Sequence, residues 1–456
     1  MSSDLSVVIL AAGQGTRMRS ALPKVLHAVG GKPMLQHVIE AARGLSAREI
    51  HVVYGHGGEM VRSALASQPV QWVEQAEQLG TGHAVSQAMP AIPDHHTVMV
   101  LYGDVPLITV DTLRRLAEIA KQGLGLLTTH LPEPQGYGRI VRDDAGRVLS
   151  IVEEKDATEA QRRIQEVNTG MLATGAARLR RWLDSLDNDN AQGEYYLTDV
   201  VARAVQEGVT VETTHPGAVA EVMGVNNRVQ LAALERDYQR RRSEALMLAG
   251  VTLLDPERFD LRGELEAGQD VVIDVNVVIE GRVSLGDGVY VGPNCYLRDV
   301  TVARGTRINS HCVLEQAEIG AECRIGPFAR VRPETRLADR VHIGNFVEIK
   351  KSQVAEGSKI NHLSYVGDST VGRGVNIGAG VITCNYDGAN KHRTVIGDHA
   401  FIGSDSQLVA PVEIGAGATI GAGSTITRDT PAGELTLARA RQKTVQGWSR
   451  PVKKRE

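Results

Sequence analysis

The chain has 456 residues, of which 42% are hydrophobic, 23% charged and only 4% aromatic, with 48 glycines. That length exceeds one ordinary core and predicts two or three domains, and the composition excludes a disordered or collagen-like protein. A formal charge of −4 gives no global attraction to nucleic acid or an anionic membrane, so any anion site has to be local. Cys295, Cys312, Cys323 and Cys384 form no C-x-x-C pair and are too sparse for a disulfide framework. They read as buried small hydrophobes in a reducing cytoplasm. Asp4 stands where a signal peptide carries cations, and the apolar run Val7 to Ala12 is far shorter than the ~18 residues that span a bilayer. Neither an export signal nor a membrane segment is expected.

The first half alternates short apolar runs with amphipathic stretches, as a mainly parallel, Rossmann-like α/β sheet does. Strands are predicted at Ser6 to Ala11, Ile50 to Tyr54, Thr97 to Tyr102 and Leu124 to His130, with helices at Met34 to Arg43 and Asp111 to Lys121. The turn Gly136-Tyr137-Gly138 opens a hairpin-like stretch that runs to about Glu153. The first strand leads into Leu10-Ala11-Ala12-Gly13-Gln14-Gly15-Thr16-Arg17-Met18, and Pro23-Lys24 follows. Glycines after a strand let the backbone approach a ligand and aim N–H groups at phosphate oxygens, and Arg17 and Lys24 add positive charge. A third glycine is missing, as is G-x-x-x-x-G-K-[ST], so neither a dinucleotide fingerprint nor a P-loop is indicated. The strand Val98 to Tyr102 ends in Gly103-Asp104-Val105-Pro106. This sets a carboxylate at the carboxyl edge of a parallel sheet, where ligands of open α/β sheets bind, and beside phosphates it suits Mg²⁺. A turn or a helix cap is the plainer alternative for Asp104.

From Asn227 to about Ala249 the pattern changes to one long charged helix, read as a linker. Beyond Thr252 a period of six appears: Ile273, Ile279, Leu285, Val291, Leu297, then a shifted phase through Ile319, Ile325, Val331, Leu337, Ile343 and Ile349, then a third from Ile396 to Ile426. Glycine or another small residue often follows the anchor. Six is not a helix period. It fits a prism of short strands with one aliphatic per face pointing inward, which is a hexapeptide-repeat β-helix of roughly ten coils at about eighteen residues each. The stretch Asn385 to Thr394 breaks the period and should project as a loop. Arg332, Lys350, His362, Tyr365 and Asn376 interrupt the repeat, and coil stacking gathers such positions on one surface. Two cations suit a sugar phosphate. His362 could take a proton from an attacking amine, although a lone surface histidine is more often inert.

L-A-A-G-x-G-T-R-M with P-K downstream, Q-L-G-T-G-H-A (Gln78 to Ala84), G-D-V-P, N-T-G (Asn168 to Gly170) and G-V-N-N-R (Gly224 to Arg228) together resemble sugar-phosphate nucleotidylyltransferases. Joined to a long hexapeptide β-helix, the chain is similar over almost its whole length to the bacterial bifunctional glucosamine-1-phosphate N-acetyltransferases and N-acetylglucosamine-1-phosphate uridylyltransferases. The resemblance implies a nucleotidylyltransferase domain over 1–226, a linker helix over 227–250 and a left-handed parallel β-helix over 251–456. It implies that Leu10, Ala11, Ala12, Gly13, Gln75, Gly80 and Thr81 hold the uracil and ribose of UTP, and that Arg17 and Lys24 stabilise the triphosphate. Asp104 and Asn226 would bind Mg²⁺, and Tyr102, Gly138, Glu153 and Asn168 would contact the amino sugar. The sugar phosphate would attack the α-phosphorus in line, without a protein nucleophile.

In the β-helix the stretches around Gly344 to Lys351, Asn361 to Tyr365 and Cys384 to Gly388 resemble the acetyltransferase site. His362 would be the general base that lets the amine of glucosamine-1-phosphate attack acetyl-CoA, with Glu348 orienting it. Arg332, Lys350, Tyr365 and Asn376 would hold the sugar phosphate. Asn385 and Tyr386 would stand near the acetyl group, and Ala379, Ser404, Ala422 and Arg439 at acetyl-CoA. The resemblance also implies homotrimers built through the β-helix, with the basic arm Arg450 to Arg455 covering CoA of a neighbouring subunit. It implies a cytoplasmic enzyme whose product feeds peptidoglycan and lipopolysaccharide synthesis. Two other readings stay open at this point. One is a nucleotidylyltransferase whose β-helix only regulates or oligomerises, and the other is a non-catalytic scaffold.

Overall fold

A computed structural model describes residues 3–55 and 57–453; His56 and the end of the basic arm, Lys454 and Arg455, lie outside the described residues. The chain divides into two compact units, Met1–Gln239 and Arg240–Glu456. The division falls inside the helix Arg228–Leu248, where the sequence predicts a linker.

In the first unit β1 (Ser3–Ala11), β2 (Ala47–Tyr54), β3 (Gln71–Glu74), β4 (Thr97–Tyr102), β5 (Leu124–His130), β6 (Arg139–Arg142), β7 (Val148–Val152), β8 (Glu166–Gly175) and β9 (Val211–Thr214) form one sheet. Its order is β9-β5-β8-β4-β1-β2-β3, with the β6–β7 hairpin attached to β8. All pairs along this order are parallel except those of β8, which runs antiparallel to both β4 and β5. Val7, Val8 and Ile9 are fully buried because helices cover both faces, which is why β1 reads as a continuous apolar run rather than an alternating one. The helix Met34–Gly44 buries Met34, Leu35, Val38, Ile39 and Ala42, one face at helical spacing. Register aligns the carboxyl ends of the parallel strands, Leu10 with Tyr102 and Ala11 with Tyr54, and there the first cleft opens.

The second unit is a parallel β-helix, built as an eleven-stranded and a fifteen-stranded sheet. Every aliphatic anchor named from the period of six is buried. Coils span seventeen residues from Ile308 to Ile325 and eighteen from Ile325 to Ile343, with these anchors directly paired. The phase shift in the sequence is therefore a shortened corner, and at that corner Val313–Ile319 runs unbroken through two faces. The left-handed corner positions are taken by glycine in some coils, as at Gly288, Gly305, Gly357 and Gly380, and by other residues in the rest. His311, Phe328, Phe346 and Leu363 adopt positive φ of 61, 55, 55 and 48°, and the amide of each hydrogen-bonds a carbonyl of the preceding coil, which offsets the cost of about 1–2 kcal/mol for a left-handed residue. Glycine after an anchor answers a different demand. A Cβ at Gly344 would collide with the Asn361 carbonyl of the next coil, and one at Gly378 or Gly403 would lie 2.6 or 2.5 Å from a neighbouring backbone nitrogen. Cys295, Cys312 and Cys323 are buried free thiols, and Cys384 is half-buried. No helix among the described residues is long and apolar enough to cross a membrane.

Candidate active sites

The first cleft, about 580 Å³, is lined by Leu10, Ala11, Ala12, Gly13, Lys24, Gln75, Gly80, Thr81, Tyr102 and Asp104, all named from the sequence. Gly15 sits at φ 61° with the Lys24 side chain packed where its Cβ would be. This glycine lets Lys24 lie across the loop and reach the sheet edge. Lys24 Nζ is 2.5 Å from Asp104 Oδ2 and 3.5 Å from Asn226 Oδ1, and Arg17 Nη2 donates to the same Asn226 oxygen at 2.9 Å. Two hard oxygens thus converge on one positive charge, the ammonium of Lys24. The donor chemistry fits Mg²⁺. Asp104 is fixed further by its carbonyl, which accepts from Val225 N at 3.0 Å.

Gly138, Glu153 and Asn168, expected at the amino sugar, lie close to one another. Asn168 N donates to Gly138 O at 2.9 Å, and the Glu153 carboxylate faces Gly138. Burial pushes the Tyr102 hydroxyl up, with Glu153 and Asp104 adding to the effect. Burial likewise raises Glu153, against the hydrogen bond it accepts from the Thr198 hydroxyl at 3.0 Å. Gln78, inside the Gln78 to Ala84 motif, carries no expected role at the cleft. Its amide donates to Ala12 O at 2.6 Å and accepts from Gln14 at 2.9 Å, and it lines the cleft with Glu194.

In the β-helix one corner carries a ladder. Two positions beyond the anchors Ile343, Ile360, Ile377, Ile402 and Ile420, which pair coil on coil, stand Asn345, His362, Ala379, Ser404 and Ala422. The histidine and three of the residues assigned to acetyl-CoA therefore form one continuous edge. Arg439 closes it by donating to Ala422 O at 2.7 Å. His362 Nδ1 lies 2.8 Å from Asn345 Oδ1. An amide oxygen only accepts, so Nδ1 carries the proton and Nε2 is left as the basic nitrogen. The hydrogen-bond partner of His362 Nδ1 is Asn345, while the Glu348 carboxylate accepts from Arg332 at 2.7 Å.

On the adjoining face Lys350 lies 4.0 Å from Asp368, which also receives the Asn385 amide at 2.5 Å. Asn385 reaches Tyr365 Oη at 3.3 Å. The projecting loop brings Lys391 to the same place, and the neighbouring Lys350 ammonium holds Lys391 below the ordinary lysine value. Sequence reading missed Lys391: it lies in the predicted loop, but no period marks its partner. Asn385 is buried in this polar cluster, while Tyr386 is exposed with its hydroxyl on Gly388 O at 2.6 Å. Asn376 lies in register between Lys359 and Phe401. Behind the loop, Lys391, His392 and Arg393 border a groove of about 850 Å³ with Glu318, Arg336 and Gln353.

These two sites define a transferase with a nucleotide cleft in one unit and an anion-binding β-helix in the other. The MobA-like NTP transferase domain matches residues 7–187, the GMPPB C-terminal domain 261–344 and the bacterial transferase hexapeptide (six repeats) 393–428. Curated proteins named bifunctional protein GlmU are 61% identical: from Alkalilimnicola ehrlichii over 99% of this chain and 97% of theirs, from Methylococcus capsulatus over 99% of both, and from Azoarcus sp. over 99% and 100%. The chain belongs to the bifunctional GlmU family. It is a glucosamine-1-phosphate N-acetyltransferase and an N-acetylglucosamine-1-phosphate uridylyltransferase, making UDP-N-acetylglucosamine from acetyl-CoA and UTP. That sets aside the scaffold and the purely regulatory β-helix.

Proposed function

We propose that residues 1–226 carry uridylyl transfer and 251–456 acetyl transfer, joined by a linker over 227–250, and that each reaction uses the residues described above. In the first, the backbone of Leu10 to Gly13 with Gln75, Gly80 and Thr81 binds UTP, while Lys24 and Arg17 neutralise the triphosphate. Asp104 and Asn226 hold Mg²⁺, which when bound supplies charge neutralisation on the phosphates. Tyr102, Gly138, Glu153 and Asn168 hold the sugar so that its phosphate oxygen lines up with the α-phosphorus.

In the second, Arg332, Lys350 and Lys391 bind the phosphate of glucosamine-1-phosphate, with Tyr365 and Asn376 on the sugar and Asn385 near the acetyl group. His362 Nε2 takes a proton as the amine attacks the thioester, and the edge Ala379, Ser404, Ala422 and Arg439 seats CoA. The observation that carries this reading is His362 itself, tautomer fixed by Asn345, on the same edge as Ala379, Ser404 and Ala422. Tyr386 on the exposed loop tip closes over the acetyl group. The stacked rings of His311, Phe328 and Phe346 and the neighbouring Leu363 leave an apolar stripe, 46, 56 and 63% exposed at the last three residues. We read it as covered by a second and third copy in a cytoplasmic homotrimer, the basic arm from Arg450 lying over a neighbour's CoA. A single-chain mass by sedimentation equilibrium contradicts the trimer.

The metal assignment is tested by Asp104→Ala, for which uridylyl transfer falls and more Mg²⁺ is needed for half-maximal rate. An unchanged Mg²⁺ dependence contradicts it.

A further inference from the structure

At the amino edge of the sheet, away from the nucleotide cleft, three side chains of metal-ligating type meet. Asp4 lies near the start of β1, and His95 and His96 end the turn that enters β4; the pairing of Leu5 with Thr97 brings them together. One ligand atom from each of Asp4, His95 and His96 lies within 4.8 Å of the other two. His96 is only 1% exposed. Its Nδ1 is bonded to Ser6 Oγ at 2.8 Å, and its Nε2 is buried without a hydrogen-bond partner. The backbone around it is fixed, because His96 N donates to Pro93 O at 3.0 Å and His96 O accepts from Ala176 N at 2.8 Å. The His95 ring stands 4.6 Å away and nearly perpendicular.

We propose that Asp4, His95 and His96 form a second metal site, for a divalent transition ion of the Zn²⁺ class. Two imidazoles and a carboxylate favour such an ion over Mg²⁺, which prefers oxygen, and three protein ligands leave a position for water. Ser6 acts as the outer partner that fixes the His96 ring. The opposing interaction is weak: Arg48 Nη1 lies 3.8 Å from Asp4 Oδ1, and both side chains are more than half exposed. Asp4 and Ala11 lie seven residues apart on β1, roughly 23 Å at strand rise, so the ion does not take part in uridylyl transfer. It clasps the first strand to the turn before β4.

The test is a Co²⁺ titration of the full-length protein, read by visible ligand-field bands, with thermal unfolding measured in Zn²⁺. One equivalent of Co²⁺ should give the bands of a nitrogen-ligated site of low coordination number. Zn²⁺ should displace it, excess Mg²⁺ should not, and Zn²⁺ should raise the melting temperature. His95→Ala and Asp4→Ala, both at exposed positions, should each weaken binding at least about tenfold and remove the thermal shift, while Asp104→Ala leaves the bands intact. Failure of either ion to bind, bands unchanged in His95→Ala and Asp4→Ala, or bands lost in Asp104→Ala would overturn the proposal.

Discussion

Asn345 holds His362 through one hydrogen bond across one coil step, so its role is separable from substrate binding. Asn345→Ala leaves Arg332, Lys350 and Lys391 in place but frees the imidazole to rotate. Acetyl-transfer kcat should fall about 10- to 100-fold with KM for glucosamine-1-phosphate little changed, measured by steady-state kinetics; a rise in KM at constant kcat contradicts the orienting role. Glu153 gives a pH prediction. Its folded value is raised by burial, so its contribution to stability is full below its unfolded value and lost as pH rises through the folded one. Glu153→Gln should therefore melt higher than the parent at neutral pH and equally below about pH 4, which thermal scans across pH would check. His362, Lys350 and Asp104 were legible because each stands beside a motif or breaks a repeat. Lys391 and Asn345 were not, since one lies in an aperiodic loop and the other acts only through a partner seventeen residues away.

Among the elements, β1, β4, β5 and the β-helix anchors follow from apolar patterning, and the strands Thr97–Tyr102 and Leu124–His130 match the sequence reading residue for residue. The antiparallel run of β8 was not legible, because a buried strand looks apolar on both faces whatever its direction. The glycine surplus was legible as a feature of the coils, but its two causes were not separated: some glycines take the left-handed corners, as Gly357 does, while glycine after an anchor, as at Gly344, answers backbone crowding between coils. Gly344 precedes Asn345 on the same strand, His342–Asn345. Gly344→Ala should destabilise by about 1–3 kcal/mol and depress acetyl transfer. Gly357→Ala, with open space around it but φ 71°, should cost about 1–2 kcal/mol and leave acetyl transfer unchanged. Denaturant melts with assays of both variants check this, and equal activity loss in the two contradicts the crowding argument.

Across the whole molecule, the sequence divides into a nucleotide-binding sheet and a repeat solenoid, and each unit carries its own cluster of charges. The central claim is that the two chemistries use separate residues, with His362 serving only the acetyl transfer. The most direct measurement assays both half-reactions on purified His362→Ala. Acetyl transfer should fall by roughly 10²–10⁴-fold and uridylyl transfer should stay at the parent rate; undiminished acetyl transfer, or equal loss of both activities in a folded protein, would contradict the account.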